Sequence, residues 1–110
     1  MKVISNELKE NTLVEGVRAR FFSGERMMFS LVKIDAGIVL PRHSHPHEQM
    51  GYVLKGSLLL RGSAEEAELK VGDMYVMPGG ESHEAVGGKE GTLILDVFAP
   101  PREEYLEMAE

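Results

Sequence analysis

Glycine and proline interrupt the apolar sequence at short intervals, and this punctuation limits the folds open to the chain. Twelve glycines and five prolines fall between apolar runs too short for core helices, a pattern of many short strands and tight turns. Val17, Ala19 and Phe21 alternate with Arg18 and Arg20, as in a half-buried strand. Residues 27–34 form a second run, closed by Asp35-Ala36-Gly37. Further strands are expected at residues 50–54, 57–61, 68–71, 74–77 and 83–86, and residues 1–12 make an edge strand or an arm. Lys55-Gly56, Gly72-Asp73, Pro78-Gly79-Gly80 and the segment 87–91 read as turns, and the acidic segment 62–67 as a solvated hairpin end. The last strand, 92–99, puts Leu93, Leu95 and Val97 on one face and Ile94, Asp96 and Phe98 on the other. Pro100-Pro101 stops it, and the tail from Arg102 reads as one short helix. The expectation is an all-β sandwich or barrel with a short C-terminal helix, forming one domain over residues 1–110.

Three of the four histidines lie in Pro41-Arg42-His43-Ser44-His45-Pro46-His47-Glu48-Gln49. On an extended strand His43 and His45 project to the same face, and Gln49 keeps their parity. Two imidazoles and an amide oxygen describe three corners of a divalent-metal site, and the scaffold is expected to bring His83 to them. With no cysteine in the chain, thiolate ligands and thiol nucleophiles are excluded. The donor set suits nickel, zinc, manganese, iron or copper. Three neutral imidazoles and a neutral amide leave the full charge of a divalent ion uncompensated, which favours an anionic ligand and disfavours a trivalent ion.

The spacings Gly37, His43, His45, Gln49, Gly56 and Gly72, Pro78, Gly80, His83 resemble the two motifs of the cupin superfamily, covering residues 37–56 and 72–87. Gln49 stands where the family usually has glutamate, and Gly87 where it often has asparagine. The resemblance implies a double-stranded β-helix, a jelly-roll barrel, with His43, His45, Gln49 and His83 as metal ligands. The stretch 95–106 resembles the C-terminal signature of the KdgF group of pectin-degradation cupins, which convert 4,5-unsaturated uronates to open-chain keto sugars. That resemblance implies a pocket lined by Asp96, Phe98 and Arg102. The residues are suited to it: a carboxylate within an apolar strand needs a reason to be there, and an arginine just past two prolines can fold back onto a substrate carboxylate.

The reading is therefore a metal-dependent, isomerase-type enzyme acting on a small anionic sugar, with Asp96 catalytic and Arg102 and Phe98 binding substrate. A ferrous-iron dioxygenase and a non-catalytic ligand-binding cupin are the alternatives. His47 is assigned a supporting or surface role, and Asp96 has a purely structural alternative as the ion-pair partner of Arg102. Phe21, Phe22, Met27, Met28 and Phe29 are expected in the core or a homodimer interface, with pairing through an edge strand. The formal charge of −6 argues against nucleic acid, and no apolar run has membrane-spanning length. The polar N-terminus, lacking an apolar signal core, leads to a cytoplasmic expectation.

Overall fold

The computed structural model describes residues 1–109. Its strands are β1 (Glu10–Val14), β2 (Val17–Ser23), β3 (Met28–Ile34), β4 (Val39–His43), β5 (Glu48–Arg61), β6 (Glu66–Lys70), β7 (Met74–Met77) and β8 (His83–Ala99). One helix, α1 (Glu103–Met108), follows. The strands hydrogen-bond in the order β1-β2-β3-β8-β5-β6, with β4 also on β8 and β7 on β5. All pairs are antiparallel.

Two strands are much longer than their apolar runs predict. The sequence suggests turns at Lys55-Gly56 and at 87–91, yet β5 and β8 continue through both and pair along nearly their whole length, from Glu48↔Ala99 to Arg61↔Glu84. Each half of β8 has a partner on either side, β3 and β5 for one half and β4 and β5 for the other, so the chain cannot reverse there. The glycines instead allow a bend in which the two backbones lean on each other. Gly56 has φ +71°, and a Cβ there would lie 1.9 Å from the carbonyl oxygen of Gly91. The ladder slips its register at this point, between Gly56 and Leu58.

Beyond the bend the continuous sheet faces itself. One layer holds β1, β2, β3, residues 92–99 of β8, residues 48–56 of β5, and β7; the other holds β4, β6 and the remaining halves of β5 and β8. The result is a jelly-roll barrel, a double-stranded β-helix. Its core alternates as strands require: Val17, Ala19 and Phe21 of β2, Met28, Val32 and Ile34 of β3, and Ile94 and Phe98 of β8 meet Leu58, Leu60 and Ala85 from the facing layer. Each large aliphatic side chain buried there contributes about 1.5–3 kcal/mol.

Phe21 and Met28 lie in that core, whereas Phe22, Met27 and Phe29 are outside it. The helix covers one end of the barrel through Tyr105, whose ring stacks on Phe21 at 4.4 Å between centroids, while Leu106 stays exposed. Among the described residues no helix is long and apolar enough to cross a membrane.

The glycine bend separates two costs of substitution. Gly37 also has positive φ, but a Cβ there would meet nothing within 4 Å. Gly37→Ala is therefore expected to cost only the left-handed backbone strain, about 1–2 kcal/mol in urea unfolding. Gly56→Ala should cost clearly more, because its methyl group meets backbone rather than a flexible side chain. Equal losses at the two positions would refute the close-contact account of the bend.

Candidate metal centre

His43 ends β4, His83 opens β8 and pairs with it directly (His43↔His83), and His45 lies in the loop between β4 and β5. The loop from β7 to β8 docks on that segment. Gly80 N donates to His45 O at 2.8 Å, and a Cβ on Gly79 would lie 2.2 Å from Pro46 O. The glycines of the second motif thus let two loops touch, and this brings His83 beside His45. Ligand-capable atoms of His43, His45 and His83 all lie within 4.8 Å of one another.

The three imidazoles share one orientation device. Nδ1 of His43, His45 and His83 lies 2.8, 3.0 and 2.9 Å from the carbonyl oxygens of Pro41, His47 and Glu81. A carbonyl only accepts, so each neutral ring carries its proton on Nδ1 and turns the Nε2 lone pair away from that contact. Nε2 of His83 is buried and has no hydrogen-bond partner. Nε2 of His45 lies 3.0 Å from Oε1 of Gln49. With the His45 proton on Nδ1, that contact opposes two acceptors, an arrangement that makes sense when both address the same cation. An orphaned imidazole nitrogen and an acceptor facing an acceptor are the marks of a set that fits a divalent ion.

Gln49 is itself held in place. Its Nε2 donates to the hydroxyl of Tyr75 at 2.8 Å, and that hydroxyl donates to Oδ1 of Asp96. An ionised Asp96 can only accept, so Tyr75 must give it the proton and take one from the amide, which leaves Oε1 aimed at the histidines. Gly51 pairs with both Tyr75 and Asp96 across β5, and a Cβ there would lie 2.1 Å from the tyrosine ring. The missing side chain is what lets Tyr75 reach across. Tyr75 had no role in the sequence reading; a glycine inside a strand interior, a sign of close approach, is the signal that points to it.

Burial pushes the Asp96 carboxyl up to about 6, against the hydrogen bonds from Tyr75 and Gln49 and the charge of Arg102. Burial and the adjacent carboxylate hold the Tyr75 hydroxyl well above its usual value, so it keeps its proton. Burial, then the charge of Arg102, lowers His45 to about 4, and burial also lowers His83.

Asp96 and Arg102 do not pair. Arg102 is buried, forms an ion pair with Glu104, and lies 4.0 Å over the Tyr105 ring and 5.1 Å over that of Phe98. Phe98 stands edge-on to His45 at 5.5 Å. His43, His83, Gln49, Tyr75, Asp96, Phe98 and Arg102 all line one cavity of about 30 Å³, room for roughly two waters. His47 lies outside that lining, buried, with Nε2 3.3 Å from Glu103, and Glu48 is exposed.

The lowered His45 gives a pH signature in metal-free protein. Its unfolded form takes a proton near 6.5 and its folded form only near 4, so it removes stability as pH falls through that window. Asp96 acts in the opposite sense, because its folded form binds the proton first, between about 6 and 3.8. Urea unfolding should show the stability of wild type relative to His45→Gln falling by on the order of 2 kcal/mol from pH 7 to 4.5. Asp96→Asn should steepen the acid loss. Parallel profiles for wild type and His45→Gln would contradict the assignment.

The family model for a cupin domain matches residues 30–98. The pectin degradation protein KdgF of Dickeya dadantii is 30% identical over 105 residues, covering 94% of this chain and 96% of its own. The structure of KdgF from a Halomonas species superposes with a TM-score of 0.86 at 30% identity, over 93% of this chain and 94% of that one. An RmlC-like cupin from Shewanella frigidimarina, 23% identical, shares the fold with the same TM-score over 94% of this chain and 93% of its own. The chain belongs to the cupin family, and within it to the group of KdgF.

Proposed function

We propose that this protein is a divalent-metal-dependent isomerase that converts a small 4,5-unsaturated uronate to its open-chain keto form. The observation that carries the reading is the single cavity lined by His43, His83, Gln49, Asp96, Phe98 and Arg102, with His45 at its edge, in a chain 30% identical to a pectin-degradation protein along nearly its whole length. His43, His45, His83 and Gln49 would hold the ion, which supplies a Lewis acid for a substrate oxygen.

The reaction adds and removes no atoms. The hemiacetal C1–O bond of the ring opens as the C1 hydroxyl proton passes to the ring oxygen, leaving an aldehyde at C1 and an enol across C4 and C5; the enol oxygen then loses a proton, C4 gains one, and a ketone results at C5. Asp96 is the group placed to move that proton, and its raised carboxyl value suits it to both giving and taking one. Arg102 binds the substrate carboxylate by exchanging its present partner. Glu104 is largely exposed on its free side, and its carboxylate occupies the guanidinium where the substrate's would. Phe98 and Tyr105 hold the planar guanidinium in its orientation through their ring faces. The space of about 30 Å³ left between the lining side chains is smaller than a sugar ring, so binding requires some of them to move apart. The neutral amide of Gln49 is the feature that favours isomerisation over dioxygen chemistry, because it does not help to stabilise a ferric state.

Metal-loaded protein incubated with 4,5-unsaturated galacturonate should abolish the ultraviolet absorbance of the double bond; no loss with any of nickel, zinc, manganese, iron or copper would sink the reading. Asp96→Asn should lower kcat by ~10²–10⁴ with KM little changed. Arg102→Ala should act mainly on KM, and Glu104→Gln should lower KM by removing the competing carboxylate. Tyr75→Phe frees the Gln49 amide to turn, and calorimetric titration with zinc should show affinity weaker by ~10-fold or more. Unchanged zinc affinity would remove Tyr75 from the site's support.

A further inference from the structure

The inward face of β3 is apolar except at one place. Met28, Ser30, Val32 and Ile34 alternate into the barrel, and all four are buried. Ser30 is only 1% exposed, and its hydroxyl has no hydrogen-bond partner among the described residues. A hydroxyl in that state costs stability that alanine, of nearly the same size, would not. It stands outside the chain of donors from Gln49 to Tyr75 to Asp96, and outside the carbonyl contacts that orient the histidines. Its place on the ladder is specific. Ser30 pairs with Asp96 of β8, so their Cβ atoms lie about 4.5–5.5 Å apart, and both line the small cavity. The next row is Met28 with Phe98, and Arg102 sits on it. Its backbone N–H donates to Met28 Sδ at 3.2 Å, and its guanidinium lies over the Phe98 ring. On the other side of Ser30 and Asp96 the row of Val32 with Ile94 is apolar again.

We infer that the Ser30 hydroxyl binds the substrate's hydroxyl on C3, beside the carbon that Asp96 protonates. The inference rests on the uronate reading above and adds to it a residue that selects among such substrates. With the substrate carboxylate on Arg102 and C4 at Asp96, C5 lies between the two, and C3 lies on the far side of C4. In a 4,5-unsaturated uronate C4 carries no oxygen and C3 carries a hydroxyl. That hydroxyl is therefore the nearest group, on the side away from Arg102, with which Ser30 can form a hydrogen bond. A serine hydroxyl donates and accepts, so it meets an alcohol in either sense. The contact forms only when substrate is present, which accounts for a hydroxyl kept where the free protein gains nothing from it. It also gives discrimination: a ligand without an oxygen at that place leaves the Ser30 hydroxyl buried and unpaired, as it is in the free protein.

Ser30→Ala should leave the metal-free protein at least as resistant to urea as wild type, because it removes an unpaired buried hydroxyl. Its zinc affinity in calorimetric titration should be unchanged. With 4,5-unsaturated galacturonate its kcat/KM should fall ~10-fold or more. The 3-deoxy form of that substrate should cost wild type a similar factor and Ser30→Ala little more, since the partner is already gone. A lower urea midpoint in Ser30→Ala would assign the hydroxyl to the structure, and weaker zinc binding would assign it to the ion. Unchanged kcat/KM, or an equal loss on the 3-deoxy substrate in both proteins, would show that it does not touch the C3 hydroxyl. Each of these results overturns the inference and leaves the uronate reading in place. A wild type that turns over no unsaturated uronate with any of the five metals would overturn both.

Discussion

Everything in this barrel depends on the ladder between β5 and β8. Gln49 sits at one end of β5 and Arg61 at the other, a span of ~40 Å for a straight strand. The molecule measures only 35 × 28 × 25 Å, so the strand must fold over. The bend at Gly56 and Gly91 does this, and it turns the two ends of one ladder towards each other. Gln49, paired near one end, and His83, at the start of β8, therefore reach the same cavity although the ladder separates them widely. The candidate metal donors are neighbours because two glycines let two backbones touch.

The cavity's chemistry follows from its burial. An interior with a carboxylate, a phenol, an amide and three imidazoles would be costly if any were left unsatisfied. Most are satisfied by a short chain of donors, from Gln49 to Tyr75 to Asp96, and by backbone carbonyls on the histidine Nδ1 atoms. The exceptions are Nε2 of His83 and the hydroxyl of Ser30, both buried without partners in the lining of the same cavity, and the acceptor pair of His45 Nε2 and Gln49 Oε1. Polar potential left over inside walls that are otherwise satisfied is consistent with a divalent ion among the three histidines.

The sequence made the fold class and the histidine cluster legible because both are written locally. Alternation such as Val17, Ala19 and Phe21 gives a strand its inward face, and glycine- and proline-anchored spacings give the histidines their places. What was not legible depends on distant partners. The segment 87–91 carries the same local signal as a hairpin turn, and only the β3, β4 and β5 strands beside it decide that it is a bend. Tyr75 looks like an ordinary strand residue until β5 places Gly51 under it. Arg102 pairs with Glu104, two residues on, instead of Asp96, because α1 turns the acid back over its guanidinium.

Shared strands also govern how the barrel can breathe. Many two-layered binding proteins open by letting their layers part about a hinge. Here β5 and β8 belong to both layers, so separating the layers would break the longest ladder in the molecule. Lateral opening is therefore costly. At one end of the barrel α1 is tethered mainly through Tyr105 and Arg102, and none of its own residues is fully buried. The longest ladder of the fold thus frames the candidate donors, and the helix at the barrel end is among its least buried elements.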